Sequence, residues 1–256
     1  MPSSSTTATV SAPVSAPVSA RPAGSTLNTA LAPSLSRDLR QREIIPPQRL
    51  AESHALVVGV GAIGRQVSLQ LAAIGVPRLM LFDDDVVAVE NLAPQGFCEE
   101  DLNKPKVEAT RELCRRINPD VEIISVVERF KRSTARSIPL DRPLSVFLCV
   151  DSIASRRILW EALMLCAAFL VDGRMSAEVI RVLAVPEPSE DAYYATTLFQ
   201  PEQAYAGSCT AKATIYTANI AAGMMLAQFT RWLRRLPVDP DVSLNLLSTE
   251  LTVQGT

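Results

Sequence analysis

The stretch that decides the fold runs from residue 55 to residue 85 and reads ALVVGVGAIGRQVSLQLAAIGVPRLMLFDDD. Four apolar residues lead into a glycine-rich turn, a segment with apolar residues at helical spacing follows, and a second apolar run ends in three aspartates. Short apolar runs bounded by glycine are typical of buried strands, and apolar residues every three or four positions are typical of helices. The stretch therefore predicts a strand–helix–strand unit with two parallel strands.

The same alternation continues along the rest of the chain. We expect helices at 64–74, 105–117, 155–167 and 210–236, and strands at 55–58, 78–82, 121–127, 144–150, 169–171, 179–185 and 242–253, the last as a single strand. Strands that alternate with helices pair mostly in parallel, with helices on both faces of the sheet. The sequence thus predicts an α/β fold with a Rossmann-like, doubly wound and mostly parallel sheet.

The composition excludes several classes of protein. With 48% apolar and 20% charged residues, the 256-residue chain can bury a core and is not wholly disordered. The net charge of -2 provides no basic field for nucleic acid or anionic lipid. The five cysteines form no CxxC pair, which argues against a disulfide framework and a structural zinc site. A single histidine, His54, argues against a Ser-His-Asp triad.

The two ends of the chain differ in character. Residues 1–35 are rich in Ser, Ala, Pro and Thr, so we expect a disordered tail there and one folded domain at 36–256. The N-terminus lacks the basic start and apolar run of a secretory signal peptide. The apolar stretch 213–229 contains Asn219 and Gln228 and is shorter than the ~20 residues of a membrane span. We therefore expect a cytoplasmic protein with no membrane contact and with reduced thiols.

The glycine-rich turn predicts a nucleotide site. Gly59, Gly61 and Gly64 have the G-x-G-x-x-G spacing, which suits a tight turn, a phosphate close to the backbone, and a helix packed against a strand. Asp83 lies 19 residues after Gly64 at the end of the second strand, where a carboxylate accepts hydrogen bonds from ribose hydroxyls. At this point a nicotinamide-dependent dehydrogenase fits equally well, but the only histidine, His54, precedes the first strand and makes a poor proton donor.

Further motifs surround the glycine loop. They are an R-x-x-R-Q sequence (Arg37, Arg40, Gln41), a helix that ends in Gly75-Val76, an Asp-x-Asp-Val sequence (Asp83, Asp85, Val86), an Asn-Leu-x-x-Gln sequence (Asn91, Leu92, Gln95), Lys106, and Asp151 followed five residues later by Arg156. Over roughly residues 37–235 this set resembles the adenylation domain of ubiquitin-activating enzymes and their bacterial relatives, the ThiF/MoeB family. We therefore interpret residues 36–256 as a ThiF-type adenylation domain.

The resemblance implies a reaction and its reactants. Enzymes of this family use ATP and Mg²⁺ to adenylate the C-terminal carboxylate of a small ubiquitin-like or sulfur-carrier protein. Negative charge accumulates at the phosphates during that reaction, so cations and a metal ion are needed there. By the resemblance, Asp83 holds the ribose, Asp151 binds Mg²⁺, and Asn91 and Lys106 contact the phosphates.

Three more residues take a role from the same resemblance. Asp85 and Gln95 belong to the nucleotide site. Arg40 corresponds to an arginine that reaches into the site of the partner subunit, so that Arg40 and Lys106 act on the reacting phosphates and the protein is a homodimer.

The chain departs from the family pattern at two positions. Pro94 stands where the family has an arginine, and proline cannot bind a phosphate. Arg65, directly after Gly64, is our candidate for the missing charge, because it lies at a helix N-terminus. Ser152 stands where the family usually has asparagine.

Cys209 is a candidate nucleophile. It precedes the long apolar helix, where thioester-forming relatives carry a cysteine, and the helix N-terminus and Lys212 favour the thiolate. The thiolate would attack the acyl-adenylate and hold the carrier protein as a thioester. A small buried residue is the alternative interpretation of Cys209.

Several functions remain open on the sequence alone. The first is activation of a ubiquitin-like protein with a thioester on Cys209, in a bacterial ubiquitination-like pathway that includes a conjugating enzyme. The second is sulfur-carrier activation for thiamine or molybdopterin synthesis, or a related tRNA-modifying dehydratase, although the net charge of -2 does not favour nucleic acid. The third is a non-catalytic scaffold with a decayed site, for which Pro94 is the main support. A nicotinamide oxidoreductase comes last.

Overall fold

A computed structural model describes residues 37–199 and 213–254 of the chain. The strands are β1 His54–Val58, β2 Arg78–Phe82, β3 Glu122–Val126, β4 Leu144–Leu148, β5 Ala167–Ser176, β6 Val179–Val185, β7 Asp241–Asn245 and β8 Glu250–Gln254. The α-helices are α1 Pro47–Glu52, α2 Ala62–Ile74, α3 Val89–Gln95, α4 Lys106–Ile117, α5 Ile153–Leu163, α6 Tyr193–Thr196 and α7 Ile215–Leu233, and short 3-10 turns lie at Glu99–Asp101 and Arg132–Ser137.

The described strands form one sheet of eight in the order β3-β2-β1-β4-β5-β6-β7-β8. Strands β1 to β5 are parallel to their neighbours, and β6, β7 and β8 extend the sheet in antiparallel pairs. The chain enters the sheet in its middle, at β1, winds outward to β3, and then crosses back to β4 on the other side of β1. This is the doubly wound, Rossmann-like arrangement, and the predicted fold class is confirmed.

Helices cover both faces of the sheet. Helices α2 and α7 pack on one face, where side chains such as Leu71, Met225 and Phe229 are fully buried against alternate residues of the strands. Helix α5 and the Arg132–Ser137 turn cover the other face, around Trp160. Because both faces are covered, the central strands are mostly apolar, and all five residues of β1 and of β4 are buried.

The structure corrects one predicted element. The sequence 242–253 was expected as one strand, but it forms most of the β7–β8 hairpin. The side-chain oxygen of Asn245 accepts hydrogen bonds from the backbone N–H groups of Leu247 and Ser248, which turns the chain between the two strands. In the two described ranges, no helix is both long enough and apolar enough to cross a membrane.

Candidate functional site

The described residues enclose a cleft of ≈ 1570 Å³ at the carboxyl ends of the central strands. The loops that follow β1, β2 and β4 line it, and β1 lies between β2 and β4. The chain reverses its winding direction at this point, so the two loops diverge and leave a crevice. This is where open α/β sheets bind their ligands, and most of the sequence-predicted residues lie here.

The glycine loop forms the floor of the cleft. Gly59 has a φ of +86°, which L side chains rarely adopt, and a Cβ there would lie 2.7 Å from the carbonyl oxygen of Cys149. A Cβ on Gly64 would lie 1.8 Å from the carbonyl oxygen of Gly59. Helix α2 therefore lies so close to the turn that only glycine fits at position 64. A Cβ on Gly61 would meet nothing nearer than Gln95 Oε1 at 3.8 Å, so the backbone there is open to a ligand.

Asp83 is fixed by the backbone around it. Its Oδ2 accepts a hydrogen bond from the N–H of Val60 at 2.6 Å, and its Oδ1 accepts one from the N–H of Asp85 at 2.8 Å. Burial raises the pKa of Asp83 above its ordinary value, and these two N–H donors and the charge of Lys106 oppose that rise. Each carboxylate oxygen keeps a second lone pair, so Asp83 can still accept a hydroxyl hydrogen bond in the cleft.

Lys106 and Asp85 form an ion pair at the same edge. The Nζ of Lys106 lies 2.7 Å from Oδ2 of Asp85, and the lysine side chain is buried whereas that of Asp85 is exposed. The backbone N–H of Lys106 also donates to the carbonyl oxygen of Asp85. The lysine begins helix α4, which places its ammonium group in the wall of the cleft.

Asp151 is an exposed carboxylate that lines the cleft after β4. An aspartate at this place could simply cap helix α5, but the cap is Ser152, whose Oγ accepts a hydrogen bond from the N–H of Ser155 at 3.0 Å. Among the described residues, no hydrogen bond or ion pair engages the Asp151 carboxylate. Its charge is therefore available to a ligand, and an uncommitted carboxylate oxygen is the kind of donor that Mg²⁺ prefers.

Helix α3 contributes Gln95 but not Asn91. Gln95 lines the cleft beside Gly61, and its buried Oε1 has no hydrogen-bond partner. The Oδ1 of Asn91 instead accepts a hydrogen bond from the N–H of Ala88 at 3.0 Å, and Asn91 is not among the residues that line the cleft. The Oδ1 of Asn91 is thus engaged at the start of its own helix, and the contact of Asn91 with the phosphates stays a prediction.

The side chain of Arg65 lies away from the cleft. Its side chain is only 1% exposed, its guanidinium lies 4.4 Å from the centroid of the Phe97 ring, and its Nη2 is 4.0 Å from Oδ2 of Asp101. Arg65 does not line the cleft, because α2 turns the side chain toward the Phe97 loop. Burial lowers the pKa of Arg65, and Asp101 opposes that shift. In this geometry Arg65 does not supply positive charge to the cleft, and its role in place of the arginine missing at Pro94 stays a prediction.

Basic residues of the loop after β3, which were not predicted as site residues, also line the cleft. Arg129 and Lys131 line the cleft and are exposed, and Arg132 lines it too but is paired with Glu161. The sequence could have predicted them, because the run Glu128 to Arg132 directly follows the predicted strand 121–127. Residues that directly follow a parallel strand lie at the same edge of the sheet as the glycine loop. These side chains bring positive charge to a cleft that also holds three successive aspartates.

A buried ionic cluster beneath the cleft was also missed. Asp172, in β5, is fully buried, and its carboxylate accepts hydrogen bonds from Nε of Arg156 at 2.8 Å, from Nε of Arg174 at 2.7 Å and from the hydroxyl of Tyr194 at 3.0 Å. Burial alone would raise the pKa of Asp172, but the two guanidinium groups outweigh it and lower the pKa. Since Arg156 belongs to α5, the cluster ties the helix after Asp151 to the sheet.

Arg40, a predicted catalytic residue, does not line this cleft. Arg40 is exposed in a turn whose neighbour Gln41 donates a hydrogen bond to the carbonyl oxygen of Ile74, at the far end of α2. Helix α2 begins at the glycine loop and its 13 residues span about 20 Å, so Arg40 is remote from the cleft of its own chain. Cys209 lies outside the described residues.

The chain is similar in sequence to curated adenylating and activating enzymes. The chain is 32% identical over 111 residues to the sulfur carrier protein ThiS adenylyltransferase of Escherichia coli, a match that covers 43% of this chain and 44% of that enzyme. It is 38% identical over 91 residues to the SAMP-activating enzyme E1 of Haloferax volcanii, covering 35% and 34% of the two chains. The matches thus span less than half the length of these curated relatives.

Solved structures share the fold. The crystal structure of PaaA has a TM-score of 0.67 at 19% identity and covers 81% of this chain and 65% of its own. E. coli MccB with AMPCPP and MccA has a TM-score of 0.65 at 14% identity, with the same coverage. A family model described as the ThiF family matches residues 35–252. Because that match spans nearly the whole chain, the protein belongs to the ThiF family.

Proposed function

We propose that this protein uses ATP and Mg²⁺ to adenylate the C-terminal carboxylate of a small carrier protein of the ubiquitin-like or sulfur-carrier type. The observation that carries the proposal is the convergence of the open glycine loop, the buried Lys106 and the uncommitted Asp151 carboxylate on one cleft at the switch point of the sheet. The names of the relatives support it, since they include an adenylyltransferase for ThiS and an activating enzyme for SAMP.

Each part of the cleft has a task in that reaction. The carrier's carboxylate oxygen attacks the α-phosphorus of ATP, the bond from that phosphorus to the bridging oxygen breaks, and pyrophosphate leaves. The open backbone at Gly61 and the start of α2 suit phosphate oxygens. The ammonium group of Lys106 can move from Asp85 to contact the same oxygens and stabilise their charge. Asp83 suits a ribose hydroxyl, and Asp151 would hold Mg²⁺, which neutralises charge on the phosphates.

We further propose that a second copy of the chain completes the site. Arg40 is exposed at the amino edge of the sheet, about one helix length from its own cleft, which supports a role in the cleft of another subunit. Light scattering at micromolar concentration should show a dimer, and Arg40→Ala should lower adenylation without preventing folding. A monomer with full adenylation activity would contradict this part of the proposal.

The test of the function is ATP–pyrophosphate exchange. It would be run with small proteins that end in glycine and are encoded beside this gene, and with the sulfur carrier ThiS. We expect exchange with at least one of them, and Asp151→Ala should reduce it by more than ~100-fold, because a metal ligand acts on the leaving charge. Asp120→Ala, which removes an exposed aspartate at the opposite edge of the sheet, is the matched control. Full exchange in a folded Asp151→Ala variant would remove Asp151 from the site, and no exchange with any carrier would favour the scaffold alternative.

The step after adenylation depends on Cys209. We propose that its thiolate attacks the carbonyl carbon of the acyl-adenylate, so that AMP leaves and a thioester forms. Adenylation itself needs no thiol, so Cys209→Ala should retain pyrophosphate exchange and lose the adduct with the carrier that added thiol cleaves by exchange. A wild-type enzyme that exchanges pyrophosphate but forms no adduct would instead hand its adenylate directly to another nucleophile, as in sulfur-carrier activation.

A further inference from the structure

A second hollow lies at the opposite edge of the molecule from the cleft. It has a volume of ≈ 310 Å³ and lies between the start of α1 and the end of α7, lined by Glu43, Pro46, Arg49, Leu233, Arg234 and Arg235. Helix α7 starts two residues after Ala213, which lines the cleft, and its 19 residues span about 28 Å. The hollow is therefore separate from the nucleotide site.

Three arginines face this hollow without an anionic partner. In the described structure, no ion pair or side-chain hydrogen bond engages Arg49, Arg234 or Arg235. Arg49 lies with its guanidinium 5.6 Å from the centre of the Trp232 ring, and its Nη1 is buried without a hydrogen-bond partner. Neighbouring Arg231, by contrast, is paired with Asp239. The guanidinium N–H donors of these three arginines are thus available to a ligand.

The end of α7 does not account for these charges. Cations often lie at helix C-termini because they interact with the free carbonyl groups of the last turn. Here backbone N–H groups already bond those carbonyls: Arg234 donates to Thr230, Arg235 to Trp232, and Leu236 to Arg231. Arg49 comes from another helix altogether, so capping of α7 cannot explain its presence in the hollow.

We propose that this hollow binds a small phosphate-type anion, such as inorganic phosphate or pyrophosphate. Guanidinium groups present rigid pairs of N–H donors that match the oxygens of such anions, and they stay charged at every physiological pH. The hollow holds a net charge of +2 from three arginines and Glu43, and its volume suits one such group rather than a long polymer. This site is independent of the function proposed for the cleft.

The backbone conformation of Arg235 allows a substitution that removes its charge without destabilising the fold. Arg235 has a φ of 57°, in the left-handed region where a glycine is preferred at the end of a helix. Arg235→Gly therefore removes one guanidinium while it relieves backbone strain, so its melting temperature should equal or exceed that of the wild type. Arg49→Gln removes a second guanidinium from the other side of the hollow. Arg116→Gln, on the exposed end of α4, is the control with the same change of charge.

The experiment is calorimetric titration of inorganic phosphate and of pyrophosphate into these four proteins, at low ionic strength and with matched chloride. We expect Arg235→Gly and Arg49→Gln to bind at least ~10-fold more weakly than the wild type, since each loses charge-assisted hydrogen bonds, and Arg116→Gln to bind as the wild type does. Anion binding in the cleft would be common to all four proteins, so it is fitted as a separate site and the affinities compared are those of the remaining site. Equal affinity in all four proteins, or no binding in the wild type, would overturn the proposal.

Discussion

Replacement of Gly64 by alanine tests the packing of the glycine loop directly. A Cβ at this position would lie 1.8 Å from the carbonyl oxygen of Gly59 and 3.0 Å from Cβ of Cys149. Real Cβ contacts are essentially never shorter than 3.0 Å, so the helix and the turn must separate by at least about 1.2 Å (3.0 − 1.8). The obstructing atom is backbone, so no side-chain rotation can relieve the clash.

The expected cost follows from that displacement. Inserting one methyl group into a packed core costs about 1–3 kcal/mol and sometimes more, and the rigid neighbour here places Gly64→Ala at about 3 kcal/mol or above. For a domain of this size, that corresponds to a fall of roughly 6–12 °C in melting temperature. Gly61→Ala is the matched control, because its Cβ would meet only the Gln95 side chain, at 3.8 Å from Oε1 and 4.0 Å from Cδ.

Thermal unfolding and ATP titration together separate the two variants. We expect Gly64→Ala to be strongly destabilised, and Gly61→Ala to fold with a near-normal melting temperature but bind ATP more weakly, since its methyl group occupies the space open to a ligand. If Gly64→Ala melts with the wild type, or if Gly61→Ala is the less stable of the two, the close approach of α2 to the turn is not what these glycines provide.

Two further predictions concern buried polar groups. Asp172→Asn should lower the free energy of unfolding by about 3–5 kcal/mol in urea titrations, because Arg156 and Arg174 lose their buried carboxylate. Asp239→Asn, which breaks a half-exposed pair, should cost less than about 1 kcal/mol, and equal costs would refute the reasoning. Burial lowers the pKa of His54 below its ordinary 6.5, and neither ring nitrogen has a hydrogen-bond partner. As the pH falls through 6.5, His54 is therefore protonated in the unfolded chain while it stays neutral in the folded chain. Stability should therefore fall between pH 7.5 and 5.5, and by less in His54→Leu; the same fall in both proteins would exclude His54 as its cause.

Local pattern predicted much of the fold. The bounds of β2 and β6 match the predicted strands 78–82 and 179–185, since most residues of both strands are apolar and buried in the sheet. The β7–β8 turn was missed because it contains neither glycine nor proline. Its turn depends on one Asn245 side chain, a signal that is easily overlooked within an apolar stretch.

The site was predictable only in part. The glycine spacing and the aspartates at strand ends are local features, so topology brings them to one cleft. The direction of the Arg65 side chain follows a tertiary contact with Phe97, more than thirty residues away, and such contacts leave no periodic trace in the sequence. The bond between the N–H of Ala88 and Oδ1 of Asn91 is local, but an asparagine near a helix start does not by itself show whether it caps the helix or faces a ligand.

The most direct test of the nucleotide site is ATP binding by two neighbouring lysine variants. Lys106 is buried in the wall of the cleft, whereas Lys104, two residues earlier, is paired with Glu112 and does not line it. Titration of MgATP should show wild-type affinity for Lys104→Met and at least ~10-fold weaker binding for Lys106→Met, which loses a charge-assisted contact. Wild-type affinity in Lys106→Met, or no ATP binding by the wild-type protein, would contradict the account.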